Sequence, residues 1–114
     1  MQITDQDKII LLERLGYFPV FVAEELWTIP GTIHKHKSQI TIKEFNPLNL
    51  SVLLKLIQVV EKDGIAWLIT SKPREEEKYV FILMSSNTKV FKGASNDKPE
   101  YAILEGLLKY FKSE

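Results

Sequence analysis

The stretch FNPLNLSVLLKLIQVVEKDG, residues 45–64, decides the architecture of this chain. Asn46 offers a side-chain oxygen to an orphan backbone N–H, Pro47 suits a first helical position that needs no donor, and Gly64 tolerates the positive φ that closes a helix. A helix is therefore expected over most of this span. At about 100° per residue, Ser51, Lys55, Gln58 and Lys62 share one narrow stripe, while Leu48, Leu50, Val52, Leu53, Leu54, Leu56, Ile57, Val59 and Val60 fill most of the remaining circumference. Such a helix is expected to be covered on more than one side.

The flanking segments fit an α+β chain. Upstream, Thr4 and Asp7 have capping-box spacing and open a helix through Leu15 that Gly16 ends, with Ile9, Leu11, Leu12 and Leu15 on its apolar side. Tyr17–Ala23 is rich in β-branched and aromatic residues, yet Pro19 lacks a donor, which places any strand there at a sheet edge. Glu24–Ile33, EELWTIPGTI, carries the turn pair Pro30-Gly31 and reads as a loop or irregular crossing. Ser38–Glu44 alternates as a half-buried strand does.

Downstream of the central helix, Ile65–Ser71 and Tyr79–Ser85 are strands apolar on both faces, which calls for cover on both. They flank a charged hairpin tip, KPREEEK, and a short strand at Lys89–Lys92 follows. Asp97 with Glu100 repeats the capping-box spacing around Pro99. The closing helix presents Ile103, Leu104, Leu107, Leu108 and Phe111 as one stripe, and Glu105 and Lys109 as a solvent-side pair. The expected fold is an alpha-beta-alpha sandwich, a small and mostly antiparallel sheet with helices on both faces, spanning residues 1–114 as one domain.

Composition narrows the function. The chain has 114 residues, 45% of them hydrophobic, enough for a core without staples. Fifteen basic residues balance fifteen acidic ones, so no net field gathers polyanions. The absence of cysteine removes thiol catalysis, disulfides and thiolate zinc sites, and no apolar run reaches the ~18 residues of a membrane span. A cytoplasmic protein without membrane attachment, a monomer or weak homodimer, is the expectation.

No constellation carries catalysis. His34 and His36 would project to the same side of an extended segment, the first half of a metal site, but the neighbouring Lys35 and Lys37 bring positive charge and further ligands are missing. A solvated strand end is the favoured reading, with no metal and no cofactor. Glu75, Glu76 and Glu77 are contiguous at a turn, whereas acid-base work needs carboxylates in unlike environments. Ser71, Ser85 and Ser86 lack a nucleophile-elbow context, and no phosphate loop is present. Lys35, Lys37 and Lys43 could hold a nucleic-acid backbone, although lysines near a sheet edge also serve to prevent strand pairing.

The order of features resembles the phage-associated alpha-beta-alpha sandwich domains. The likeness rests on Leu15-Gly16-Tyr17 at the end of the first helix, Trp27-Thr28-Ile29-Pro30-Gly31, and Phe45 leading into a helix that ends Val59-Val60-Glu61-Lys62. It continues through the hairpin to KPEYAILEGLLKYF, residues 98–111. The resemblance implies a three-layer fold and a phage or prophage setting, with no established activity and no site residues to carry over.

These readings together point to a non-enzymatic protein-interaction module, with a nucleic-acid accessory protein using Lys35, Lys37 and Lys43 as the alternative. The expected docking residues are Trp27, Ile29 and Pro30, in a stretch with no regular period to hide them. Two readings of Trp27 stand side by side. It folds back as a lid over the core, as large aromatics usually do, or it stays exposed as an interface anchor.

Overall fold

The computed structural model describes residues 2–20, 23–29, 39–72 and 76–113. The chain is α+β, with helices α1 (Asp5–Arg14), α2 (Leu50–Lys62) and α3 (Pro99–Lys112) and strands β1 (Phe18–Val20), β2 (Ala23–Thr28), β3 (Gln39–Thr41), β4 (Ala66–Ser71), β5 (Tyr79–Met84) and β6 (Val90–Ser95). Instead of one sheet there are two, each three-stranded and antiparallel, in the orders β1-β2-β3 and β4-β5-β6. The backbone packs as two compact units, Gln2–Pro47 and Leu48 onward.

The first unit opens with the capping box. The Thr4 hydroxyl accepts from the Asp7 amide and the Asp7 carboxylate accepts from the Thr4 amide, both at 3.1 Å, so two orphan donors of α1 are satisfied reciprocally. Leu11 and Leu12 are fully buried, and Gly16 at φ +92° ends the helix as its sequence implies. Pro19 sits in β1, an edge strand, the position in a sheet where proline is tolerated. The reading of 24–33 as a loop needs correction, because Ala23–Thr28 is the central strand of this sheet, with Trp27 opposite Pro19 on one side and Ile40 on the other. Residues 30–33 lie outside the described residues.

In the second unit α2 begins later than its sequence suggests. Asn49, not Asn46, is the N-cap, its side chain accepting from the Ser51 amide at 2.9 Å, and Pro47 lies in the turn before it. The expectation of cover on several sides also fails. Leu53, Leu56, Ile57 and Val60 are buried at helical spacing, whereas Leu50 and Leu54 are exposed. Gly64 at φ +78° follows the helix as expected.

The helix that is buried on several sides is α3. Ala102, Ile103, Leu104, Gly106, Leu107, Leu108, Tyr110 and Phe111 are all buried along it. It lies over β5 and β6 and also meets α2. Small residues permit this. A methyl group built on Gly93 of β6 would collide with the Ala102 carbonyl and lie 2.5 Å from the Gly106 nitrogen, so helix and strand meet backbone to backbone. The Tyr110 hydroxyl donates to Asp63 at 3.1 Å, tying the end of α3 to the end of α2. Asp97 does not cap α3. The N-cap is Lys98 without a side-chain bond, and the Asp97 and Lys98 amides donate to Ser95 Oγ at 3.2 and 3.4 Å. Pro99 occupies the first turn as expected.

Candidate functional site

The strands β4, β5 and β6 read AWLITS, YVFILM and VFKGAS, and their register sorts the residues onto two faces. Odd positions Trp67, Leu83 and Phe91 form one row, and Ile69, Phe81 and Gly93 the next. Because Gly93 and Phe81 touch α3, this is the face that α3 covers. Even positions form the opposite face, with Ala66, Met84 and Val90 in one row and Leu68, Ile82 and Lys92 in the next. The two-sided apolar pattern led to an expectation of helices on both faces of the sheet. α3 takes one face, and on the other Leu68 (55%), Met84 (49%) and Val90 (56%) are exposed. Contiguous exposed apolar surface of this kind marks an interaction site more often than scattered single side chains do.

The β4 side of the sheet extends this surface. α3 lies over β5 and β6, and Trp67 on β4 remains 42% exposed while stacking on Phe81, ring centroids 6.2 Å apart. A shallow depression of about 130 Å³ is lined by Ala66, Trp67, Leu68, Ile82 and Met84, without a charged group. Its lining is apolar and its opening is broad.

The two edges of the sheet differ chemically. The Lys72 amide donates to the Lys78 carbonyl at 2.7 Å, which fixes the even residues of β4 as those bonded to β5. The backbone groups of Trp67, Ile69 and Ser71 therefore point away from the sheet, and among the described residues nothing pairs with them. On β6 the outward groups include the Lys92 carbonyl. It is taken by the Lys109 ammonium at 2.8 Å, while the Lys92 side chain pairs with Glu77 at 2.7 Å. Charged side chains thus occupy one edge, in the manner that limits edge-to-edge pairing, and β4 has neither charge nor proline.

The residues singled out from sequence fall elsewhere. Trp27 is 4% exposed within β2, and its indole N–H, like the buried Thr28 hydroxyl beside it, finds no partner among the described residues. Ile29 is half-buried just beyond the strand. Pro30, His34, Lys35, His36 and Lys37 lie outside the described residues. Lys43 is exposed in the turn after β3, bordering a depression of about 210 Å³ shared with Asp5, Lys8 and Ile42. Lys8 donates to the Ile42 carbonyl there at 3.2 Å.

In the second unit a further depression, about 380 Å³, is lined by Ala94, Ser95, Asp97, Tyr101 and Glu105. Ser95 Oγ is engaged by two amides and Glu105 by Lys109 at 3.1 Å, so these two groups are held structurally. Of the other expected sites, Glu76 and Glu77 are exposed as a turn should be, and Ser71 and Ser86 are exposed as well. Among the described residues no three His, Asp or Glu side chains come together as metal ligands, and no helix is long and apolar enough to cross a membrane.

Sequence reasoning missed Trp67, Leu68, Met84 and Val90 as surface residues. The signal was present, since two strands apolar on both faces are followed by one helix, and one helix covers one face. Comparison of the chain with protein-family models, with curated proteins and with solved structures found no match.

Proposed function

We propose that this chain is a non-enzymatic protein-interaction module that engages a polypeptide through the open β4 side of its second sheet. The carrying observation is the exposure of Leu68, Met84 and Val90 on one continuous sheet face that abuts an unpaired strand edge. Main-chain groups at such an edge supply affinity, and alternate side chains supply selectivity. The resemblance to phage-associated alpha-beta-alpha sandwich domains supports a phage or prophage setting, and the cysteine-free composition suits a cytoplasmic one.

The test is association by the unmodified chain against Met84→Glu and Val90→Glu, using cross-linking followed by mass spectrometry. Both side chains are about half exposed, so thermal stability should change little. Cross-links located at β4–β6 are expected, lost in both variants where the partner lies across the open face. Cross-links that map to Ala23–Thr28 would move the docking surface away from this sheet.

A further inference from the structure

Resting on that reading, we infer that the occupant of the open edge is a second copy of this chain, β4 pairing antiparallel with β4 about a twofold axis at Ile69. The outward backbone groups belong to Trp67, Ile69 and Ser71, which are symmetric about Ile69. Ile69 then faces Ile69 of the second copy, and Trp67 faces Ser71 in both directions. Each of these facing pairs exchanges two backbone hydrogen bonds. The neighbouring register, centred on Leu68, would need the Ile65 amide, which already donates to the Val60 carbonyl at 3.1 Å.

Side chains and charge agree with this register. The large Trp67 lies opposite the small Ser71, Leu68 lies opposite Thr70, and Ile69 meets Ile69 at the axis as a β-branched cross-strand pair. No charge lies within β4, so no like charges face each other along it, and the net charge of zero leaves no long-range repulsion between copies. An isologous interface requires this self-complementarity. The β6 edge does not offer it, since Lys109 already occupies the outward Lys92 carbonyl. Pairing converts two three-stranded sheets into one of six strands and brings the exposed Leu68 side chains of both copies onto one surface. A single strand seam is small, so the dimer is weak and reversible.

The experiment uses the full chain. Sedimentation across a concentration series should show mass doubling with a dissociation constant of roughly 10–100 μM, as expected for an interface below about 1,200 Å². Hydrogen exchange on the same samples should show the Trp67, Ile69 and Ser71 amides gaining protection with concentration, while those of Leu68 and Thr70 stay protected throughout. Leu68→Lys sets two ammonium groups on the cross-strand diagonal, roughly 7–8 Å apart, and should weaken association at least tenfold with an unchanged melting temperature. Since the chain has no cysteine, Ile69→Cys should form a disulfide-linked dimer on oxidation and exposed Gln58→Cys should not. Rapid exchange of those three amides at every concentration, or a dimer that survives Leu68→Lys, overturns the proposal. If the chain stays monomeric but its cross-links to another polypeptide still depend on Met84 and Val90, self-pairing falls and the interaction module stands. If neither association occurs, both fall.

Discussion

Replacing Gly93 by alanine probes the closest approach in the second unit. The added methyl would overlap the Ala102 carbonyl and stand 2.5 Å from the Gly106 nitrogen, and both obstacles are helix backbone that cannot rotate away. α3 must therefore retreat from β6, and a gap of about 0.5–1 Å forfeits a quarter to a half of each dispersion contact across it. Phe81, Ile103 and Tyr110 are buried at or beside this contact. If each contributes about 1.5–3 kcal/mol, a quarter lost is about 1–2 kcal/mol, and overpacking strain adds about 1–3 kcal/mol. We expect Gly93→Ala to cost about 3 kcal/mol. Gly106→Ala serves as the internal comparison. Its methyl meets the Phe81 ring at 2.7 Å, a side chain with some freedom to turn, and alanine regains about 0.8–1 kcal/mol of helix propensity, so the net loss should be about 1–2 kcal/mol. Urea denaturation of both variants decides the matter. If Gly93→Ala lies within about 0.5 kcal/mol of the parent, or Gly106→Ala is the costlier change, then the helix does not rest backbone to backbone on the strand.

The remaining predictions concern single elements. Leu53→Ala and Ile57→Ala should each cost about 2–5 kcal/mol while exposed Leu54→Ala costs under about 1 kcal/mol, and the same denaturation series checks the orientation of α2. Asn49→Ala should cost about 1 kcal/mol through loss of the bond to the Ser51 amide, and Thr4→Ala about the same through the capping box, both readable as shifts in melting temperature. Trp27→Ala should cost about 3–5 kcal/mol, and unchanged stability in a melt would contradict its burial. In a gel shift at physiological salt the chain should bind nucleic acid no more tightly than the weak nonspecific range, about 10⁻⁴–10⁻⁶ M. Binding tighter than that, weakened by joint substitution of Lys35, Lys37 and Lys43 with alanine, would favour the nucleic-acid reading.

How legible the fold was depends on which signal carried each element. The Thr4–Asp7 box, Gly16, Gly64 and the stripe from Ile103 to Phe111 rest on local geometry, and local geometry is written in neighbouring residues. The start of α2 was harder because Asn46 and Asn49 both suit a cap, and Asn49 is the one whose side chain accepts from the Ser51 amide. β2 escaped notice because Glu24, Glu25 and Trp27 do not alternate cleanly, and the strand exists through its pairing with β1 and β3. The relative burial of the helices was inverted for a related reason. An excess of leucine on α2 suggested cover all round, yet Ala102 and Gly106 allow α3 to approach the sheet, and small residues contribute little to any apolar count.

The two tryptophans show why the candidate site was harder to read than the fold. Periodicity marks Trp27 as having nowhere to hide and Trp67 as one rung of an apolar strand, so sequence alone assigns the exposed role to the first. Strand position reverses the assignment. Trp27 lies in the central strand of its sheet, flanked on both sides, and a large side chain there is covered by its neighbours even when its indole N–H finds no acceptor among the described residues. Trp67 lies in an edge strand beside α3, with its ring on Phe81 and part of its surface open. Which strand becomes an edge is settled by pairing over the whole sheet. A residue's own neighbours in sequence carry little of that information, but the chemistry of the finished edges carries more. Lys92 and Lys109 guard β6, and AWLITS leaves β4 unguarded. An unguarded, charge-free edge next to exposed leucine, methionine and valine is a liability unless pairing there is its use.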